Sequence, residues 1–119
     1  MKKNKTYAWY KKELDRVFSI FIRQRDKGRC FTCSKKSEWK DTDAGHFVKR
    51  QHLATRWDER NVNCQCVACN CFRAGQKETY AVKLEKKYGF GILQELEGLK
   101  NKGAKFKVAE LKELIEHYK

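Results

Sequence analysis

Two Cys-x-x-Cys pairs constrain the fold of this chain more than any other feature of its sequence. Cys30 is followed by Cys33, and Cys66 is followed by Cys69. Two intervening residues allow a tight turn that points both thiolates at one tetrahedral ion, and two such pairs complete a four-thiolate set of the kind that binds zinc. Because four thiolates leave no open coordination position, we expect a structural Zn²⁺ that holds a small core together.

Two further cysteines, Cys64 and Cys71, are surplus to that set. Cys64 could replace Cys66 as a ligand, although Cys-x-Cys is a poorer metal knuckle, and we predict that both extra cysteines are structural or free thiols. The basic N-terminal segment lacks the apolar core of a secretory signal. Six cysteines without such a signal indicate a reducing, intracellular compartment, where cysteines bind metal more often than they form disulfides.

The chain is strongly basic. Its 119 residues contain 28 Lys and Arg against 15 Asp and Glu, which gives a formal net charge of +13. This excess favours a polyanionic partner such as nucleic acid, because it raises the local concentration of phosphate groups and speeds encounter. No apolar run approaches the ~20 residues that cross a bilayer, so we expect no membrane association. The length predicts a single domain over residues 1–119.

Helical periodicity marks both ends of the chain. Residues 6–27 carry apolar side chains at i, i+3, i+4, i+7 and i+8, which predicts an amphipathic helix that stops at Gly28. Residues 29–75 lose this period and contain strand-like pieces at 29–31, 44–49 and 61–65. Helical patterns return at 76–88, at 91–100 and from Val108 onward, within a C-terminal region of residues 76–119. We therefore predict an α+β fold, with a small metal-containing centre flanked by N-terminal and C-terminal helices.

An ordered string of polar residues lies between and beside the Cys pairs. DAGHF spans residues 43–47, a basic loop follows, Asn61 opens the next strand-like piece, and Asn70 directly follows Cys69. This order resembles the HNH (His-Me finger) endonucleases, in which a strand ends in a catalytic His, a central Asn holds a loop, and a helix supplies a final His or Asn. The resemblance implies a zinc-braced ββα-metal, treble-clef-like finger over residues 29–75.

A second resemblance extends beyond the finger. DAGHF, Arg50, ATRWDERNV (residues 54–62) and QCVACN (65–70), with the preceding helix and KKYG (86–89), resemble the NinG (Rap) recombination proteins of lambdoid phages. That family implies a phage- or prophage-encoded protein in the cytoplasm of the bacterial host. It also implies endonucleolytic cleavage of branched recombination DNA, including Holliday junctions, which composition alone does not indicate.

The HNH resemblance assigns catalytic roles to His46, Asn61 and Asn70. An imidazole with an ordinary pKa near ~6.5 suits a general base at neutral pH, and His46 is our candidate for that base. Asn70 offers an amide oxygen to a hard cation such as Mg²⁺ or Mn²⁺. Asn61 is expected to tie the loop through side-chain hydrogen bonds rather than to bind metal.

Gly45 departs from the HNH pattern, because the residue before the base is commonly a metal-binding Asp or His in that family. In an extended strand, Asp43 lies on the same face as position 45, displaced by about 6.6 Å. We favour Asp43 as the replacement ligand for the catalytic cation. Asp58 and Glu59, just before Asn61, are the alternatives.

The loop after His46 carries cations that we expect to bind DNA. Arg can grip phosphate bidentately and stabilise negative charge as it develops. His52 in this loop could assist catalysis or bind metal, but we favour an ordinary polar role, and we expect Trp39 and Trp57 to pack in the core rather than to stack on bases. The predicted DNA-binding residues are Lys49, Arg50, Arg56 and Arg60.

The sequence thus predicts a zinc-braced, Mg²⁺- or Mn²⁺-dependent DNA endonuclease without an organic cofactor. The resemblance implies products with 5′-phosphate and 3′-hydroxyl ends. Symmetrical cutting of a four-way junction requires two active sites, which predicts a homodimer with the terminal helices as its interface. Two alternatives stay open: a non-catalytic zinc-finger DNA-binding protein, and a homing-type HNH nuclease that cuts one linear site.

Overall fold

Five helices surround a two-stranded sheet in the computed structural model of the protein, which describes residues 4–119. The first three residues of the predicted domain and of its basic N-terminal segment lie outside this range. The helices are α1 (Tyr7–Arg25), α2 (Leu53–Arg56), α3 (Lys77–Tyr88), α4 (Ile92–Lys102) and α5 (Val108–Tyr118), and the strands are β1 (Thr42–His46) and β2 (Val62–Cys66). Short 3₁₀ turns lie at Trp39–Asp41 and Ala74–Gln76, and a π-helical turn lies at Ala68–Phe72. The predicted α+β class is confirmed.

The four long helices lie within two residues of their predicted bounds. Thr6 caps α1, since its Oγ1 accepts a hydrogen bond from the Trp9 backbone N–H at 3.1 Å. The chain turns away at Gly28, where a φ of +74° and the nearby Ser37 carbonyl leave no room for a side chain. Within residues 4–119, no helix combines the length and the apolar character needed to cross a membrane.

Two apolar clusters flank the sheet. In the first, the predicted stripe of α1 packs against α5 and against Trp57, which is 7% exposed and therefore a core residue, as predicted. In the second, α3 packs against α4. The buried residues of the first cluster are Leu14, Val17, Phe18, Ile22, Trp57, Val62, Leu111 and Ile115, and those of the second are Tyr80, Leu84, Ile92 and Leu96.

The two strands pair antiparallel, from Thr42 opposite Cys66 to His46 opposite Val62. The prediction of a strand at 61–65 is confirmed to within one residue, but the prediction of one at 44–49 is placed too late. The pairing ends just after His46: the Phe47 N–H still donates to the Asn61 backbone carbonyl at 2.9 Å, but Val48 does not continue the ladder. The Val48 N–H donates to the Asn61 side chain at 2.7 Å, which turns the chain into the loop.

The predicted strand at 29–31 is wrong. This segment forms one isolated bridge, Arg29 opposite Lys36, rather than a strand. The chain reverses here around the first Cys pair, with Ser34 in a left-handed conformation at φ +68°. The tight turn that positions the two sulfur atoms is incompatible with extended pairing on both sides.

Gly45 lies against a buried side chain. A Cβ atom at position 45 would overlap Gln65 Oε1 and crowd its Cδ and Cγ atoms. Gln65 is fully buried and fixed, because its Nε2 donates to Thr32 Oγ1 at 3.1 Å and to the Gly75 carbonyl at 2.9 Å. The residue before His46 must therefore be glycine for a packing reason, and the missing side chain is not a vacant ligand position.

We predict that Gly45→Ala lowers the free energy of unfolding by about 1–3 kcal/mol, because the new methyl group overpacks the site held by Gln65. The loss should shrink in a Gln65→Ala background, where the clashing atoms are gone. Gly98→Ala is the control: no atom lies within 4 Å of its Cβ position in α4, so it should stabilise by up to about 1 kcal/mol. Urea unfolding measures all five proteins, including the wild type and the Gln65→Ala single variant, and equal stabilities for Gly45→Ala and Gly98→Ala would contradict the packing argument.

Candidate functional site

The four cysteines of the two Cys-x-x-Cys pairs meet in space. The Sγ atoms of Cys30, Cys33, Cys66 and Cys69 all lie within 4.8 Å of one another, and those of Cys33 and Cys66 are 3.7 Å apart. A tetrahedral ion with Zn–S bonds of ~2.3 Å places its sulfur ligands about 3.8 Å apart. These four thiols could therefore hold one metal ion such as zinc, as predicted, and Cys66 rather than Cys64 belongs to the set.

The surroundings of this cysteine cluster favour the thiolate form at Cys30 but not at Cys33, where a backbone hydrogen bond from Lys35 is outweighed by burial and the neighbouring thiols, which raise the pKa to about 12. Burial acts to raise the pKa of Cys30, but hydrogen bonds from Thr32 Oγ1 and from nearby backbone N–H groups outweigh burial and lower the pKa to about 6. The guanidinium of Arg73 lies 3.8 Å from Cys69 Sγ. Cys64 is buried outside the cluster, where burial raises its pKa, and Cys71 is exposed.

The two predicted ligands of the catalytic cation are in contact. The Asn70 amide Nδ2 donates to Asp43 Oδ2 at 3.1 Å, although the residues are 27 positions apart. Asp43 lies in β1 and Asn70 in the π-helical turn, so the sheet and the cysteine cluster together set this contact. Both side chains line a cavity of about 370 Å³ that two cations, Arg23 and Arg50, also line.

His46 borders a second, smaller cavity of about 60 Å³, which shares Ser19, Ala44 and Arg50 with the first. Asp43 and His46 leave opposite faces of β1, because an odd number of positions separates them. In the described part of the chain β1 pairs only with β2, which leaves its other edge open. The candidate base and the candidate cation ligands thus border two openings that share Ser19, Ala44 and Arg50.

A hydrogen bond determines which nitrogen of His46 is free. Its Nε2 lies 2.9 Å from the Arg56 carbonyl oxygen, which can only accept, so Nε2 carries the proton and Nδ1 keeps its lone pair. Burial lowers the pKa of His46 below its ordinary value of 6.5. The imidazole is therefore neutral at pH 7, with an unprotonated nitrogen.

Asn61 ties the loop that follows His46. It is fully buried, its Nδ2 donates to the carbonyls of Val48 and Thr55 at 3.1 Å each, and its Oδ1 accepts from Val48 N–H. These are the loop-holding hydrogen bonds that the sequence predicted for this residue. Its backbone carbonyl also accepts from the Tyr80 hydroxyl at 3.3 Å, which links the loop to α3.

The four cations predicted to bind DNA fall into two groups. Arg56 binds Asp15 through two hydrogen bonds, of 3.0 and 2.5 Å, and Arg60 binds both Asp58 and Glu95. Lys49 and Arg50 are exposed, and within the described residues no carboxylate oxygen lies within 4.0 Å of either charged group. The loop therefore offers Lys49 and Arg50 to a ligand and uses Arg56 and Arg60 internally.

The alternative carboxylates are engaged elsewhere. Asp58 accepts from the side chain and the backbone N–H of Arg60, and Glu59 Oε2 accepts from the Tyr118 hydroxyl at 2.9 Å. Neither lines the cavity that contains Asn70. Asp43 is thus the carboxylate that the structure brings to Asn70.

Sequence reasoning missed the contribution of α1 to this site. Asp15 and Ser19 line the His46 cavity, and Ser19 and Arg23 line the adjoining one. Their four-residue spacing, which places them on one helix face, was the available signal. It also missed Lys77, whose Nζ donates to the carbonyls of His46 and Phe47 at 2.6 and 2.7 Å and so fixes the end of β1.

Comparison with known proteins gives a consistent family. The family model described as "Bacteriophage Lambda NinG protein" matches residues 1–119. Protein ninG of Salmonella phage P22 is 32% identical over 97 residues, covering 78% of this chain and 46% of that protein. Protein ninG of Escherichia phage lambda is 30% identical over 102 residues, covering 82% and 48%, respectively. The chain thus spans about half the length of these relatives. No solved structure matches it. The chain belongs to the NinG family of phage proteins.

Proposed function

We propose that this chain is a metal-dependent DNA endonuclease of the HNH (His-Me finger) type, which acts in phage recombination on branched DNA such as Holliday junctions. The observation that carries the proposal is the contact between Asp43 and Asn70 beside the His46 cavity. Two candidate cation ligands and one candidate base thus border adjoining openings that share Arg50. The net charge of +13 supports a nucleic acid as the partner.

Asp43 and Asn70 have the donor chemistry of a Mg²⁺ or Mn²⁺ site. Because Asn70 donates through Nδ2 to one carboxylate oxygen, its own Oδ1 and the other carboxylate oxygen stay available as hard ligands. Mg²⁺ is commonly held by one or two protein oxygens, with water and substrate phosphate completing its coordination. A cation bound there would supply positive charge to the phosphate and to the 3′-oxygen leaving group.

His46 acts as the general base in this proposal. Its Nδ1 accepts a proton from the attacking water, while the hydrogen bond from Nε2 to the Arg56 carbonyl fixes the tautomer and the ring orientation. Asp15 holds the Arg56 side chain and so supports that carbonyl indirectly. Lys77 holds the backbone at His46 from the other side.

Arg50 and Arg23 line the cavity of Asp43 and Asn70 and are placed to hold the phosphate group that is cleaved. Lys49, next to Arg50 in the loop, adds a third cation near this cavity.

By analogy with HNH enzymes, the products carry 5′-phosphate and 3′-hydroxyl ends. Cutting both strands of a junction requires two copies of the chain. A second copy would meet the exposed sides of α1 and α5, and Trp9, which is 39% exposed, lines an opening between these two helices.

The cysteine cluster is proposed to hold a structural Zn²⁺. Four thiolates complete its coordination, so the ion would take no part in the reaction. Its role is to join the loop after α1 to the end of β2, and thereby to place Asn70 beside Asp43.

A second candidate is a non-catalytic zinc-finger DNA-binding protein. The packing of Gln65 against Gly45 favours this binding protein. HNH enzymes carry a metal ligand at the position of Gly45, and here Gln65 leaves no room for a side chain at that position. A homing-type nuclease is the third. Cleavage assays on matched linear, flap and four-way-junction DNA separate them: the binder cuts none, and the homing enzyme cuts one linear site without preference for junctions.

We predict that Cys33→Ser removes bound zinc and lowers the free energy of unfolding by more than about 3 kcal/mol, because the ion joins two chain segments. Cys33 is exposed, so the substitution does not disturb the core. Cys71→Ser, an exposed cysteine outside the cluster, is the matched control and should keep one zinc per chain. Metal analysis and thermal unfolding measure both effects. Full zinc content in Cys33→Ser would exclude the four-thiolate site.

We predict that His46→Ala slows junction cleavage at least about 100-fold while DNA binding survives, because the variant lacks the general base. His117→Ala, which removes an exposed imidazole on α5, should cleave at the wild-type rate.

The pH profile tests the same role. Since burial lowers the pKa of His46, its neutral form persists below pH 6.5, so the acidic limb of the single-turnover rate should have its midpoint below 6.5. A midpoint above 6.5, or wild-type cleavage by His46→Ala, would exclude His46 as the base.

We predict that Asp43→Asn and Asn70→Ala each reduce cleavage by at least about tenfold and raise the Mn²⁺ concentration that gives half-maximal rate, because the first loses the negative charge of a ligand and the second loses an oxygen ligand. Asp41→Asn, two residues earlier in a 3₁₀ turn, is the control. Titration of Mn²⁺ in the cleavage assay measures the effect. If Asp43→Asn and Asp41→Asn behave alike, Asp43 is not a ligand.

A further inference from the structure

A second basic opening lies away from the proposed catalytic site. This basic cavity has a volume of about 400 Å³ and lies between the first Cys pair, the C-terminal end of α1 and one face of α3. It shares no lining residue with the cavities of His46, Asp43 and Asn70. Its lining residues are Asp26, Arg29, Cys30, Phe31, Ser34, Lys83, Lys86 and Lys87.

Three lysines of α3 converge on the basic cavity without acidic partners. Lys83, Lys86 and Lys87 stand at i, i+3 and i+4, which places them on one helix face, where like charges repel. Within residues 4–119, no carboxylate oxygen lies within 4.0 Å of any of the three ammonium groups. The three ammonium groups therefore repel one another on this helix face, and an anionic partner would reduce that repulsion.

The one carboxylate in the basic cavity is already engaged. Asp26 accepts two hydrogen bonds from the Arg25 guanidinium, at 2.8 and 3.0 Å, and a third from the Cys64 backbone N–H at 2.9 Å. Its charge is thus compensated by Arg25 rather than by the lysines. Arg29, whose Nη1 donates to the Ser34 carbonyl at 2.9 Å, adds a fourth cation to the wall.

An aromatic ring forms part of the lining. The Lys87 ammonium lies 5.7 Å from the centre of the Phe31 ring, and Phe31 packs on Tyr80 at 5.1 Å between ring centres. Cations beside an aromatic surface are the combination with which proteins hold nucleic-acid strands, since the cations meet phosphates and the ring meets a sugar or base.

The basic cavity and the proposed catalytic site are joined through the cysteine cluster. Cys30 lines the basic cavity, its Sγ lies within 4.8 Å of Cys69 Sγ, and Asn70 directly follows Cys69. The two surfaces are therefore connected through the cysteine cluster of one folded finger rather than through a linker.

We propose that the basic cavity binds the sugar–phosphate backbone of a second DNA segment, separate from the strand at His46. The inference rests on the proposed function in taking DNA as the partner, but it does not require cleavage. With phosphate-binding surfaces at two separate openings, one folded finger would engage two arms of a branched molecule at once.

The test compares three triple variants with the wild type. Lys83→Ala/Lys86→Ala/Lys87→Ala removes the lysines of the basic cavity, and Lys→Arg at the same three positions keeps their charge. Lys12→Ala/Lys102→Ala/Lys105→Ala removes three exposed lysines elsewhere. Alanine is a good helix former, so the fold should survive, which circular dichroism checks. Binding to a labelled four-way junction and to a matched duplex is measured by anisotropy over a series of salt concentrations, without added divalent cations.

We expect the alanine variant of the basic cavity to bind the junction at least about tenfold more weakly at low salt. The slope of log affinity against log salt should fall by about 0.9 for each phosphate group that the variant no longer neutralises. The arginine variant should retain binding, and the control triple should change affinity by less than about threefold. Duplex binding should change less than junction binding in the cavity variant.

Equal losses in the cavity and control alanine variants would mean that only total charge matters, and would overturn the proposal. The proposal would also be overturned if the alanine variant of the basic cavity bound both DNAs normally but no longer bound poly-glutamate. The partner of the cavity would then be an acidic protein. Failure of the wild type to cut any DNA would remove the nuclease proposal alone, because this comparison measures binding.

Discussion

Four thiol groups from two distant chain segments determine the geometry of the finger. Cys30 and Cys33 lie in the loop after α1, whereas Cys66 ends β2 and Cys69 lies in the π-helical turn. Because β1 is registered on β2, joining these segments also fixes where Asp43 stands relative to Asn70. The small apolar clusters on either side of the sheet support this arrangement. A bound ion at the cluster would supply the cross-link between the segments.

Internal ion pairs give the basic loop its shape and leave its free charges at one edge. Arg56 is fixed by Asp15, whose carboxylate also accepts from Trp57 Nε1 at 3.0 Å, so one residue of α1 holds two residues of the loop. Arg60 is fixed by Asp58 and Glu95. The exposed Arg50 then stands where the two adjoining cavities meet. The number of cations in the loop does not indicate which of them bind carboxylates of the fold and which stay exposed, because that depends on contacts between the loop, α1 and α4.

Sequence reasoning succeeded where a local pattern carried the information. The long helices follow from apolar periodicity, and the cysteine cluster follows from two pairs with metal-ligand spacing. The pairing of Asp43 with Asn70 was accessible because strand alternation and the resemblance to HNH proteins gave the same answer. Asn61 was correctly expected to hold its loop, because it matches the central Asn of the HNH pattern, and its side chain makes these hydrogen bonds.

Sequence reasoning failed where a contact between residues distant in the chain determined the local structure. The end of β1 depends on the Asn61 side chain reaching Val48, which no local propensity records. Gly45 looked like a missing ligand, but the reason for glycine is Gln65 on the neighbouring strand. The roles of Asp15, Ser19 and Arg23 were missed because α1 was predicted from its apolar residues alone. Predicting any of these features requires knowing which helices and strands pack together.

The π-helical turn at Ala68–Phe72 affects how relatives should be aligned. The Arg73 N–H bonds to the Ala68 carbonyl at 2.9 Å, five residues back, so this turn holds one residue more than an α-helical turn. A homologue with a regular α-turn here would reach the same point of the chain with one residue fewer. A one-residue gap after the second Cys pair in a family alignment would therefore record a change of winding rather than the deletion of a functional side chain.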